Sequence, residues 1–220
     1  MLNTPKFQDW GLIDYAAALE KQLTLVEIVS QDANHPGFLI FCSHPPVVTT
    51  GRQTRPEDIF SWQGPVLEVS RGGRATYHGP SQLVVYPILN LKNARCGRGP
   101  QEVRGYLRAF EEAIASVLRS YGIDASGKTP QKIPGELVET DETGVWVGTQ
   151  KIASLGIAVK KWVTYHGAAI NIDHDPTAFI GLNPCGFKSS TMTSLETLTS
   201  KKIERVRFAE QLRTLLQSAL

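Results

Sequence analysis

Three cysteines, Cys42, Cys96 and Cys185, are all that the 220-residue sequence holds, an odd number that cannot pair off within one chain. A disulfide-stapled secreted scaffold is disfavoured, and a reducing cytoplasm is the expected compartment. No apolar run approaches the ~18 residues that a membrane span requires. The N-terminal Met-Leu-Asn-Thr-Pro-Lys lacks a charged segment leading into an apolar one, so neither a membrane nor an export route is expected. An excess of charge is missing as well. With 23 basic against 21 acidic residues the balance is +2, which gives no ground for a nucleic-acid partner or a membrane surface. His44 lies two residues from Cys42, but no second ligand pair follows at zinc spacing, and no metal site is expected. Internal repeats and low-complexity linkers are also lacking. What remains is an ordinary globular composition, 41% hydrophobic and 20% charged, expected to fold as one domain over 1–220.

Periodicity divides the chain into helices and strands. Residues 14–27 carry apolar side chains at Tyr15, Ala18, Leu19, Leu23 and Val26, the stripe of an amphipathic helix opened by Asp14 as N-cap. Strands are expected over 37–42, 47–50, 65–70 and 83–91. Between 101 and 121, Val103, Tyr106, Leu107, Phe110, Ile114, Val117 and Leu118 form the clearest helical stripe, with Gly122 as its stop. Residues 144–160 read as a hairpin turning near Gly148-Thr149-Gln150, and 162–172 as a further strand. A Ser/Thr-rich stretch, 189–199, is expected to be irregular. The chain closes with a helix over 203–220.

Two stretches combine backbone constraint with reactive side chains. Arg71-Gly72-Gly73-Arg74-Ala75-Thr76-Tyr77-His78-Gly79-Pro80 follows a strand; its glycines permit a tight turn or a close backbone approach to a ligand, and four of its side chains donate hydrogen bonds. A plain surface turn is the alternative. Asn183-Pro184-Cys185-Gly186 places a thiol between a residue of fixed φ and one that accepts positive φ. That suits a nucleophile, and equally a small buried apolar residue. A third stretch misleads: Gly122 to Thr129 spells the phosphate-loop pattern GxxxxGKT, yet a helix precedes it and Pro130 and Pro134 forbid an unbroken helix after it.

Taken together, RGGRATYHGPSQLVVYP at 71–87, GVWVGTQKIASLGIAV at 144–159, HGAAINI at 166–172 and NPCG at 183–186 closely resemble the octanoyltransferases, the lipoyl-protein ligase B family. The resemblance spans roughly 14–193. It implies an α/β (α+β) fold, a mixed sheet flanked by helices like the catalytic domains of biotin protein ligases and lipoate ligases. It further implies transfer of an octanoyl group from octanoyl-acyl carrier protein to a lysine of lipoyl domains. The acceptors would be 2-oxoacid dehydrogenase E2 subunits and the glycine cleavage H protein; no cofactor is called for, and a monomer is expected. On the matched motifs, Cys185 falls on the acyl-thioester nucleophile and Lys151 on the lysine that activates it. Arg71, Gly72, Gly73, Arg74, Ala75, Thr76, Tyr77, His78, Ser154, Leu155, Gly156, Gly167, Ala168 and Ala169 fall on the segments that bind the acyl substrate. Ser81 stands where the family has glycine, and 127–142 looks like an insert.

Magnitudes refine these expectations. A thiol made merely more acidic gains about three- to fourfold, because its nucleophilicity falls with its basicity. General acid–base transfer contributes ~10² to 10⁴. Lys151 is therefore expected to shuttle protons, in an apolar setting with Ile152 and Ile157 that favours the neutral amine. The amides of Cys185 and of the His78-Gly79 turn are the expected oxyanion donors. His78 is expected either to assist proton transfer or to be structural. Arg71, Arg74, Lys160 and Lys161 are candidate contacts for an acidic carrier. Three other readings stand beside this one: an ATP-dependent ligase on the same fold, a non-catalytic binding module, and, more remotely, a protease pairing His166 with Cys185.

Overall fold

The computed structural model describes residues 4–93, 96–129 and 142–220. Ten strands and four α-helices follow one another as β1 (Lys6–Leu12), α1 (Tyr15–Gln31), β2 (Phe38–Ser43), β3 (Val47–Thr50), β4 (Val66–Glu68), β5 (Thr76–His78), β6 (Gln82–Ile88), α2 (Val103–Ser120), β7 (Ala125–Gly127), β8 (Gly144–Val147), β9 (Gln150–Lys160), β10 (Val163–Asn171), α3 (Leu195–Thr199) and α4 (Arg205–Ala219). Seven strands form one sheet in the order β1-β2-β6-β10-β9-β8-β7, and β4-β3-β5 form a second, smaller one. Of the large sheet's pairings only β1 with β2 is parallel, which makes the sheet mixed as expected. No described helix is long and apolar enough to cross a membrane.

Both faces of the large sheet are covered. Phe110, Ile114 and Leu118 of α2 and Phe208, Leu212 and Leu216 of α4 pack with Leu39, Phe41, Val85, Leu155, Ala168 and Ile170. On the other face Ala18, Val26 and Val29 of α1 meet Ile40, Val84, Tyr86 and Ala169. Strands covered on both sides lose polar alternation, and all nine residues of β10 are buried.

Several local signals acted as their chemistry dictates. The Asp14 carboxylate accepts the amides of Ala16 and Ala17 and starts α1, which runs one turn beyond the expected end. Gly122 has φ +79 and closes α2. Residues 125–127 form β7, antiparallel to β8, so the phosphate-loop pattern follows a helix and itself contains a strand, and has no phosphate-binding context. Pro130 and Pro134, which argued against that loop, fall outside the described residues.

Other elements departed from the expectation. The edge strand β1 went unrecognised because its residues are largely exposed and carry no clean alternation. Within 189–199, Ser194 accepts the Thr197 amide and caps the short helix α3, so that stretch is partly helical. The Arg71–Pro80 motif does not simply bridge two strands: its Thr76–His78 part is itself a strand of the small sheet.

At the middle of the large sheet Gly167 faces Gly156 across β9 and β10. A Cβ on Gly167 would lie 1.9 Å from the Val85 carbonyl oxygen, so β6 and β10 approach as closely as they do only because this residue is glycine. Gly167→Ala is expected to lower stability by about 1–3 kcal/mol through overpacking, read as a reduced urea midpoint with an unchanged slope.

Candidate active site

Pro184–Gly186 forms a tight 3₁₀ turn in which Cys185 adopts φ 57 and ψ 20, the left-handed region that a residue with a Cβ avoids. Its surroundings hold it there. The Cys185 amide donates to the Ala75 carbonyl at 2.8 Å, the Asn183 amide to the Asp58 carbonyl at 2.9 Å, and Asn183 Nδ2 to the Glu57 carbonyl at 2.8 Å. The Arg74 guanidinium grips the fully buried Asp58 carboxylate through Nε at 3.0 Å and through a second, shorter contact. It also lies against Gly186, where a Cβ would sit 2.4 Å from Arg74 Nη1. Asp58 chiefly raises the pKa of Arg74, so the guanidinium is a fixed cation beside the thiol.

Cys185 is 5% exposed, and its sulfur lies 3.7 Å from the Ser154 hydroxyl of β9. Lys151 is three residues earlier on that strand, a spacing that ordinarily points to the opposite face. A bulge corrects this. Ala153 pairs with Val145 and Lys151 with Trp146, leaving Ile152 as the extra residue on β9. Because Ser154 pairs with Gly144, two residues before Trp146, Lys151 and Ser154 share one face. Lys151 is fully buried, with Nζ 5.6 Å from the ring centroids of both Trp146 and Phe187. Phe187 is two residues past the cysteine, so the lysine and the thiol-bearing turn converge on one corner of the sheet.

Around the sulfur a cavity of about 20 Å³ is lined by Arg71, Thr76, His78, Ser154, Leu155, Gly156, Gly167, Ala168 and Ala169, all on the expected substrate segments, and by Tyr15, Val84, Tyr86 and His166. That volume holds about one water molecule. Of the remaining expected residues, Gly72 donates its amide to the Ile157 carbonyl, Gly73 has φ +84, and Ala75 and Tyr77 pack in the small sheet's core with Phe179 and Leu182.

The cavity's polar side chains form a buried network. Tyr15 Oη meets His166 Nδ1 at 3.2 Å, His44 joins the Ile13 carbonyl and Tyr86 Oη at 2.7 Å each, and Thr49 Oγ1 lies 3.3 Å from His78 Nε2. Arg71 is spread over the Thr49 carbonyl and hydroxyl and the carbonyls of Gly72 and Arg74. Burial, with the Arg71 charge second, pushes His166 down to about 3. His78 falls well below its usual value, chiefly by burial, and burial lowers His44 as well. All three rings are neutral at pH 7. His166 bonds Tyr15 through Nδ1, and the hydrogen-bond partner of the thiol is Ser154 rather than this ring. Tyr15, Tyr86 and Asp58 carried no sequence signal: each belongs to a helix, strand or turn whose neighbours are ordinary.

Two expectations need correction. The Cys185 amide is engaged with Ala75 and the Gly79 amide with Gln82 Oε1, so that donor pair does not face an oxyanion here. Arg71 and Arg74 are each 6% exposed and bonded internally, so neither offers a free cation to an acidic carrier, whereas the exposed Lys160 and Lys161 share the single carboxylate of Glu27 and keep a net positive charge. Ser81 does not have positive φ; its hydroxyl donates to Asp175 at 3.1 Å, and the substitution is accommodated without strain. The paired Cys42 and His44 belong to the buried network, and no cluster able to hold a metal occurs among the described residues.

A helix-flanked mixed sheet that brings a constrained cysteine, a buried lysine and a small-residue cavity together here builds a catalytic domain of the lipoyl protein ligase A/B class. Residues 14–217 match the lipoyl protein ligase A/B catalytic domain model. The octanoyltransferase of Bdellovibrio bacteriovorus is 56% identical, over 97% of this chain and 98% of its own; that of Pelobacter propionicus is 38% identical, over 86% and 83%. The chain belongs to the octanoyltransferase family and is an acyltransferase. In fold it is similar to lipoate-protein ligase A bound with ATP, with TM-score 0.65 at 18% identity over 98% of this chain and 86% of that one. It is also similar to biotin protein ligase from Aquifex aeolicus, with TM-score 0.54 at 12% identity over 100% and 69%.

Two outcomes follow from this geometry. Asp58→Ala removes the fully buried carboxylate that holds Arg74, leaving the more exposed Glu57 at 3.3 Å, and is expected to cost about 3 kcal/mol in chemical denaturation. The unfolded chain binds protons at histidine from about pH 6.5 downward, whereas folded His166 stays neutral to about pH 3. Stability is therefore expected to fall as the pH drops through that window, by about 1.4 kcal/mol per unit for this histidine, with His166→Gln flattening the slope.

Proposed function

We propose that this enzyme takes an octanoyl group from octanoyl-acyl carrier protein onto Cys185 as a thioester and passes it to the ε-amine of a lysine on lipoyl domains. The acceptors on this reading are 2-oxoacid dehydrogenase E2 subunits and the glycine cleavage H protein, and the reaction runs in the cytoplasm without a cofactor. The observation that carries the reading is the left-handed turn at Cys185, a strained conformation held by a buried ion pair at the mouth of a cavity lined by the expected substrate segments.

In the first half-reaction the Cys185 sulfur attacks the carrier thioester carbonyl. The new carbon–sulfur bond forms, the old one breaks, and the carrier thiol leaves with the proton taken from Cys185. In the second, the acceptor amine attacks, Cys185 is released as a thiol, and the amine's proton is removed. Lys151 is the group suited to both transfers: it is buried on the cavity's sheet face and reaches the turn through Phe187. Ser154, bonded to the sulfur, orients the thiol. Octanoyl selectivity comes from the apolar walls at Val84, Leu155, Ala168 and Ala169.

The alternative that shares this fold, an ATP-dependent ligase, is disfavoured because the GxxxxGKT stretch follows a helix and contains β7, and so forms no phosphate loop. Incubation with octanoyl-acyl carrier protein is expected to add one octanoyl group to the protein by intact mass, absent in Cys185→Ala and slowed about 10²- to 10⁴-fold in Lys151→Ala. An adduct of unchanged yield on Cys185→Ala, or transfer that requires free octanoate and ATP, rules the reading out.

A further inference from the structure

Glu111 is a buried carboxylate, 2% exposed, that neither the fold nor the reaction described so far explains. It sits in the middle of α2, on the stripe that packs against the sheet, where an apolar side chain would serve burial better. Its two oxygens are each engaged by a backbone amide: Oε1 accepts from Gly144 at 2.8 Å and Oε2 from Thr129 at 3.0 Å. One amide follows β7 and the other opens β8, and the Lys128 amide donates to the Gly144 carbonyl, so the ends of β7 and β8 are drawn together on one carboxylate. Gly144 is in turn the surface on which Lys151 rests. A Cβ at Gly144 would lie 2.7 Å from Lys151 Cε and 2.2 Å from the Ala153 carbonyl oxygen, and its φ of +148 is one that a side chain disfavours. Burial raises the Glu111 pKa while its hydrogen bonds and the Lys151 charge lower it, so the carboxylate and the lysine feel one another.

We infer that Glu111 is a positioning residue for Lys151: by holding the Gly144 and Thr129 amides it fixes the backbone against which the lysine side chain lies, and so sets where the lysine's amine meets Cys185. This rests on the reading of Lys151 as the proton shuttle. It accounts for a carboxylate buried in a helix otherwise built for apolar packing, for glycine at 144, and for the convergence of β7, β8 and β9 at this corner. A displacement of about 1 Å in a reacting group costs on the order of 10²-fold in rate.

The test is a double-mutant cycle read by single-turnover octanoylation of Cys185, followed by intact mass over hours so that slow variants remain measurable. Glu111→Gln keeps the side chain's size and one accepting oxygen but turns an amide toward the other backbone N–H. It is expected to slow acylation about 10- to 100-fold with the donor's half-saturating concentration changed less than about twofold. In a Lys151→Ala background the same substitution is expected to slow it less than about threefold, because the residue through which it acts is gone. Glu111→Asp, which retains the carboxylate, is expected to show the same pattern with a smaller loss, and it replaces Glu111→Gln in the cycle should that variant not fold. Equal slowing in both backgrounds overturns the inference and leaves the lysine's role standing. If Lys151→Ala alone acylates at the wild-type rate, the proton-shuttle reading falls, and the inference with it.

Discussion

The site depends on keeping one cysteine in a left-handed conformation. An L-residue with a Cβ pays roughly 1–2 kcal/mol for that backbone, and Pro184 and Gly186 ease the flanking residues without removing the penalty at Cys185 itself. The compensation is spread over three connections: the Cys185 amide to Ala75, the Asn183 amide to Asp58, and Asp58 to Arg74, which leans on Gly186. A buried ion pair gains little net stability once desolvation is counted, so its value here lies in geometry rather than in energy. Breaking it exposes the penalty; keeping it holds the sulfur at the cavity mouth.

The second requirement is that a strand deliver a lysine to the same corner. An unbroken β9 would put Lys151 and Ser154 on opposite faces, because side chains alternate along a strand. The extra residue at Ile152 resets the alternation, sending Lys151 toward the turn while Ala153 and Leu155 remain in the core with α2 and α4. Pairing with β8 therefore fixes the site, and the buried carboxylate of α2 that tethers the start of β8 belongs to the same arrangement.

Much of this was legible in the chain. The stripe of α2, the Asp14 cap, the hairpin of β8 and β9 and the glycine stop at 122 all act through local chemistry, and the structure has each of them. The four motifs pointed to one family, and nine of the expected substrate residues line the cavity together with Cys185. What could not be read depends on contacts between distant segments. Nothing in the neighbourhood of Asp58 marks it as the partner of Arg74, and nothing at Ile152 announces a bulge. Arg71 and Arg74 looked like surface cations because basic residues beside glycines usually are; here burial and internal acceptors have consumed them. The Cys185 amide looked available for an oxyanion because its engagement with Ala75 is formed only by the tertiary fold.

The small volume of the cavity bears on the proposed reaction. The cavity is partly open and the space inside it that a water-sized sphere can occupy is about 20 Å³, so on the proposed reading an eight-carbon chain has to displace some of the side chains that line it. The side chains that line it, Tyr15, Tyr86, His78 and His166 among them, are tied to α1 and to β5, β6 and β10, and those ties resist the displacement. An octanoyl chain brings about 0.8 kcal/mol per buried methylene, roughly 5 kcal/mol in total. On the proposed reading that free energy has to offset the rearrangement of the walls, so the apolar lining and the polar network around it act together on which chains enter.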